Sequence, residues 1–219
     1  MHARHSGRSS SGKLSERLCA YSPDSTAASM STVFPRAIDA HLAVIQSLVP
    51  LTPAVEEAGR LCADALSAGN RILLCGNGGS ASDSQHLAGE LVGRLKGNRR
   101  SLPAHALGAD SAVMTCIAND FGYEEVFARQ VEGIGKTGDV LLALSTSGNS
   151  GNVVRAVEQA NALGITTIGL LGGSGGKLAQ LCSHVLCVSA STDTARIQEA
   201  HILIGHVICA DIENRLGLT

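Results

Sequence analysis

The chain has 219 residues, a formal net charge of −2, no tryptophan and only 2% aromatic residues. No basic block stands out to neutralise phosphates and there is no aromatic platform for bases or sugars, so a nucleic-acid partner is not expected. Hydrophobic residues reach 44%, mostly Ala, Leu, Val and Ile, which suits one α/β domain with buried parallel strands, and no apolar run is expected to approach a membrane span.

Residues 1–32 are rich in Ser, Arg and Ala without a sustained apolar period, so a disordered extension is expected there. They lack the apolar core of a secretory signal. An Arg- and Ser-rich transit peptide and an over-extended reading frame with Met30 as the true start both stay open, and no chemistry is expected in this tail. The domain is expected over 33–219.

From Phe34, Ile38, Leu42, Ile45 and Val49 recur at helical spacing until Pro50 closes the segment, and a second helix is expected over 55–68. Strands and helices then alternate. RILLC (71–75) reads as a buried strand and ASDSQHLAGELVGRL (81–95) as a helix. A weaker strand near 103–107 precedes helical pieces around 111–117 and 124–133. DVLLALS (139–145) is the clearest strand, followed by the helix NVVRAVEQANALG. ITTIGLL (165–171), a glycine-rich turn at Gly172 to Gly176, a short helix, HVLCVS (184–189) and a long helix over 194–216 complete the chain. Strands separated by helices of this length imply right-handed crossovers and a parallel sheet covered on both faces.

The seven cysteines, Cys19, Cys62, Cys75, Cys116, Cys182, Cys187 and Cys209, are odd in number and contain no CxxC pair. Several sit in apolar runs, which reads as small core residues in a reducing cytoplasm.

Ligands of open parallel sheets sit beyond the carboxyl ends of the strands, so the loops at that edge matter most. In STSGNSGN, Ser145, Thr146, Ser147 and Ser150 offer hydroxyls, Gly148 permits a tight turn, and the following helix adds free N–H groups. That combination forms a nest for an anion, most simply a phosphate monoester, although an ordinary capped turn has the same spacing. GNGGS (76–80) is a second loop of this kind. If 81–95 is helical, His86 and Glu90 are one turn apart on one face, where they could share a metal ion, work as acid and base, or simply form an exposed polar pair. The last helix supplies Gln198, Glu199, His201 and His206. Glu199 aligns best with His206 on an ideal helix, while Gln198 is offset by about 80°, and geometry alone leaves the choice open. His105 and His184 read as packed or edge residues, and His201 as at most a supporting one.

Four ordered segments, GNGGSASDSQHLAGELVGR, NDFGYEEVFARQVE, GDVLLALSTSGNS and ARIQEAHILIGH, resemble the phosphoheptose isomerases, a family of the sugar-isomerase (SIS) domain proteins. The likeness runs from about residue 36 to the C-terminus. It implies a flavodoxin-like α/β fold, a parallel sheet sandwiched by helices with two further helices at the N-terminus. It implies a cytoplasmic homotetramer with sites near subunit interfaces, and zinc as cofactor. It implies conversion of the sugar phosphate sedoheptulose 7-phosphate to D-glycero-D-manno-heptose 7-phosphate, an early step towards nucleotide-activated heptose for lipopolysaccharide.

Carried over by motif, the resemblance makes His86, Glu90, Gln198 and His206 the zinc ligands, with Gln198 preferred to Glu199 against the helical wheel. It assigns substrate contacts to Asn77, Gly78, Gly79, Glu90, Asn119, Asp120 and Gln198. The phosphate cradle falls to Ser145, Thr146, Ser147 and Ser150, and the acid–base pair to Glu90 and His206. Two alternatives carry different expectations: a non-catalytic SIS protein that binds a replication initiator, whose known examples lack the matching Glu and final His, and an isomerase for another sugar phosphate.

Overall fold

The computed structural model describes residues 32–218; the expected N-terminal extension, apart from Thr32, lies outside the described residues. Five strands, β1 (Ile72–Cys75), β2 (Ala104–Ala106), β3 (Val140–Ser145), β4 (Thr166–Gly172) and β5 (His184–Val188), form one sheet in the order β2-β1-β3-β4-β5, with every neighbouring pair parallel. The order reverses direction between β1 and β3, the flavodoxin-like arrangement, whose ligand crevice opens at that switch point.

The α-helices are α1 (Val33–Gln46), α2 (Thr52–Ser67), α3 (Gly79–Val92), α4 (Ser111–Phe121), α5 (Ala128–Ile134), α6 (Gly151–Ala162), α7 (Leu178–Leu181) and α8 (Thr194–Arg215). Successive strand residues point to opposite faces, and the core divides accordingly. Ile72, Leu74, Val140, Leu142 and Leu144 pack under α2, α3 and α8 on one face. Leu73, Cys75, Leu141 and Ala143 pack under α5 and α6 on the other. Cys62, Cys75 and Cys209 are buried and free, as expected of small core residues. Burial pushes the Cys209 thiol up to about 12, with the nearby Glu90 and Glu213 adding to the effect.

The segment Val33–Ser67 carries a window of mean hydropathy 1.3, apolar enough for a membrane span, which corrects the expectation that no run approaches one. The segment is broken, however. A single 3-10 turn at Val49–Leu51, with Pro50 at its start, separates α1 from α2, which are 14 and 16 residues long, shorter than the ~20 residues a spanning helix needs.

Several boundaries differ from expectation for local reasons. α3 begins at Gly79 because Gly78, at φ 57°, turns the chain, and the N–H groups of Ser80 and Ala81 then bond back to the carbonyls of Asn77 and Gly78. The same helix stops at Val92, where Arg99 takes over its terminal carbonyls. α4 continues to Phe121, so Asn119 and Asp120 sit in its last turn, and Gly122 at φ 90° ends it.

The two helices that follow the site loops on this face, α3 and α8, run side by side and parallel. A Cβ on Gly79 would lie 2.6 Å from the side-chain amide atoms of Gln198, and one on Gly205 would lie 2.5 Å from Leu87. The approach of buried Leu87 leaves no room for a side chain at Gly205, whereas at Gly79 only the flexible end of Gln198 would have to move. Arg99 clamps this helix pair. Its Nε donates to Glu213 Oε1 at 2.7 Å, and its Nη groups donate to the carbonyls of Glu90 (2.7 Å), Leu91 (2.8 Å), Gly93 (3.2 Å) and Arg100 (2.9 Å). The C-terminal carbonyls of a helix have no partners of their own within it, and a guanidinium satisfies them while complementing the negative end of the helix dipole.

Candidate active site

His86 and Glu90 on α3 face His206 on α8. The three ligand atoms lie within 4.8 Å of one another: His86 Nε2 is 2.8 Å from His206 Nε2 and 3.1 Å from Glu90 Oε1. The rings meet edge to face, with centroids 5.0 Å apart. Two imidazoles and a carboxylate converging from adjacent helices form a borderline-soft nitrogen and oxygen donor set, the kind zinc takes. Tetrahedral ligands around zinc stand roughly 3.3 Å apart, so the 2.8 and 3.1 Å spacings from His86 need only small outward shifts. The donor set fits the ion.

Asp83, one turn before His86, was not singled out from the sequence. Its Oδ2 is buried without a hydrogen-bond partner among the described residues. Burial raises its pKa, and the charges of His86 and His206 pull it back down. Only a fold that brings α8 onto α3 gives this carboxylate its surroundings.

A cavity of about 360 Å³ opens at the switch point, between the loops after β1 and β3 and the start of α8. It is lined by Asn77, Gly78, Gly79, Ser145, Thr146, Ser150 and Gln198 from the expected set, and by Ser80, Leu144 and Thr194 besides. Gln198 faces the cavity. Glu199 instead pairs with His41 at 2.8 Å and with Arg196 at 2.7 Å; those partners on α1 and on the previous turn draw it away, which an ideal wheel drawn for α8 alone does not include. From the Gly79–Gln198 contact, the His86–His206 pair lies about 10 Å further along the two helices.

The serine turn is held by its own hydroxyls. Ser145 Oγ accepts from Gly148 N at 3.1 Å and lies 3.0 Å from Ser150 Oγ, and Asn149 N donates to Ser147 Oγ at 3.2 Å. Gly148 takes φ 65°, and a Cβ there would collide with the Gly175 carbonyl. Ser150 stands at the N-cap of α6 without making a side-chain capping bond, so the first-turn N–H groups keep the positive end of the helix dipole open to an anion.

Ser147 is exposed and does not line the cavity. Asn119 and Asp120 are also exposed and outside the lining, with Asn119 Nδ2 donating to Asp120 Oδ1 at 2.8 Å. His184 bonds the carbonyl of Ala54 at 2.8 Å, a packing role as expected. His201 is fully buried, and its Nε2 is 3.0 Å from the Leu171 carbonyl.

Residues 37–172 match the family model of the SIS domain. A phosphoheptose isomerase of Nitratiruptor sp. is 55% identical over 156 residues, spanning 71% of this chain and 83% of that protein. The chain belongs to the phosphoheptose isomerase family. Among solved structures, the phosphoheptose isomerase of Neisseria gonorrhoeae superposes with a TM-score of 0.74 at 41% identity, covering 84% of this chain and 96% of that one. That of Francisella tularensis gives a TM-score of 0.76 at 36% identity, covering 84% and 95%. As a member of the phosphoheptose isomerases, the protein is an aldose–ketose isomerase.

Proposed function

We propose that this isomerase interconverts sedoheptulose 7-phosphate and D-glycero-D-manno-heptose 7-phosphate through an enediol. The convergence of His86, Glu90 and His206 within 4.8 Å, about 10 Å along α3 and α8 from a cavity lined by an uncapped serine turn, carries this reading. The turn binds the phosphate through Ser145, Thr146, Ser147 and Ser150 and the first N–H groups of α6. Asn77, Gly78 and Gly79 hold the sugar, and Asn119 and Asp120 act in the same binding step.

Ketose-to-aldose conversion moves a proton between adjacent carbons and the hydrogens of their oxygens. Glu90 takes the carbon-bound proton and returns it to the neighbouring carbon, while His206 exchanges protons with oxygen. His86, Glu90 and His206 would hold zinc, which would supply Lewis-acid stabilisation of negative charge on oxygen. Gln198, more than two turns from His206 along α8, can join them only from a neighbouring copy of the chain. Gripping the phosphate far from the reacting carbons turns binding energy into orientation.

The active form is a homotetramer acting in the cytoplasm. In support, α1 exposes Phe34, Ile38 and Leu42 on one stripe, and α8 exposes Leu203 and Val207 on either side of His206, apolar surface of the kind that protein interfaces cover. Its place is early in the supply of activated heptose for lipopolysaccharide.

Incubation of the purified protein with sedoheptulose 7-phosphate, zinc-loaded and after chelation, tests the reading. Aldose product from the loaded enzyme and its loss on chelation are expected. No turnover by zinc-loaded protein would overturn the assignment.

A further inference from the structure

Asn152, in the first turn of α6, is only 3% exposed, and neither the anion site nor the acid–base pair has a use for a buried amide. Burying a primary amide is costly unless its groups are paired. Here the pairing is reciprocal: Asn152 Nδ2 donates to Asn77 Oδ1, and Asn77 Nδ2 donates to Asn152 Oδ1, both at 2.8 Å. The Tyr123 hydroxyl donates to the same Asn77 Oδ1 at 3.1 Å.

Three loops meet at this one point. Asn77 leads from β1 into α3, and Asn152 follows the serine turn after β3. Tyr123 opens a single 3-10 turn, Tyr123–Glu125, just after the Asn119–Asp120 pair. That turn sits tightly against the start of α6, where a Cβ on Gly151 would lie 2.9 Å from Glu124 Oε1, and Arg155 Nε donates to Glu125 Oε1 at 2.9 Å. The contact between Asn77 and Asn152 bridges β1 and β3, the two strands that flank the switch point.

An asparagine side chain has two acceptor lone pairs and two N–H donors. Asn77 Oδ1 has both lone pairs committed, to Asn152 and Tyr123, and one N–H is committed to Asn152. One donor remains.

We propose that Asn152, with Tyr123, is a positioning residue that latches the sugar-side loop at Asn77 to the phosphate-side turn at Ser145–Ser150. The latch holds the free N–H groups of α6 and the one remaining N–H of Asn77 at a fixed separation, and it restricts the Asn77 side chain to donating towards a substrate oxygen. It rests on the reading of the serine turn as the phosphate site.

The test uses the full-length enzyme with Asn152→Leu, Asn77→Ala, the double variant and Tyr123→Phe. KM and kcat for sedoheptulose 7-phosphate, the competitive inhibition constant of inorganic phosphate, and Tm are measured for each. Asn152→Leu is expected to raise KM and the phosphate constant about tenfold, with a smaller change in kcat. Adding Asn152→Leu to Asn77→Ala should then change little, because the latch is already open. Tyr123→Phe should raise the same two constants about threefold with Tm unchanged.

A lower Tm for Asn152→Leu with both constants within about twofold of wild type, or independent effects of the two asparagine changes, overturns the latch. If Asn152→Leu does not fold, Tyr123→Phe decides by the same two constants. Failure of phosphate to compete in the wild type overturns the phosphate reading of the serine turn and the latch with it. Competition that the variants leave unaltered overturns the latch alone.

Discussion

Glu213→Gln tests how the fold holds the His86–Glu90–His206 cluster together. The Arg99 and Glu213 side chains are each 1% exposed, and their ion pair joins the end of α3 to α8. Glu213 Oε1 also accepts from Leu95 N at 3.2 Å, and Glu213 Oε2 has no hydrogen-bond partner among the described residues. The substitution leaves the guanidinium buried with neutral carbonyls as its only company. Removing one member of a buried pair costs about 3–5 kcal/mol. For a domain of this size that lowers Tm by roughly 6–20 °C. Thermal unfolding followed by circular dichroism measures the shift, and Arg99→Met with Glu213→Leu together should recover part of it, because no uncompensated charge then remains buried. Zinc affinity should fall alongside Tm, since α3 and α8 carry the ligands. A fall in Tm of less than about 2 °C for Glu213→Gln, the equivalent of under ~1 kcal/mol, would refute the clamp.

Two further outcomes are expected. Purified Glu90→Gln should lose about 10²- to 10⁴-fold in kcat, the usual scale of a general base, with Tm near wild type; full turnover would remove Glu90 from proton transfer. His201 has its pKa lowered by burial, against the raising effect of its bond to the Leu171 carbonyl. The unfolded chain therefore binds this proton more readily than the folded one, and the stability contributed by neutral His201 is complete above about pH 6.5 and lost as pH falls towards the lower folded value. Urea unfolding at pH 7.5 and pH 5.5 should show a loss of at most ~1.4 kcal/mol per pH unit from this group, and His201→Gln should flatten that slope; an unchanged slope would count against it.

The order and type of the elements were legible in the residues because each signal is local. The continuous apolar run in DVLLALS, the 3.6 period before Pro50 and the glycines at the turns each act within one segment. The serine turn and the His86–Glu90 spacing were legible for the same reason, since a nest and an i,i+4 pair need only adjacent backbone. The choice of Gln198 over Glu199 came from resemblance and not from periodicity, and the structure shows what the wheel lacked: His41 and Arg196, which hold Glu199 away from the cavity.

The sequence by itself determined a parallel α/β fold, the serine turn and two members of the His86–Glu90–His206 cluster, because those depend on neighbours along the chain. Only the tertiary structure decided the rest. Asp83 beside His206, the Arg99–Glu213 clamp and the Asn77–Asn152–Tyr123 junction join residues 46 to 123 positions apart. Such pairings exist only once the sheet order places β1 beside β3 and lays α8 along α3, so no pattern within a single segment encodes them.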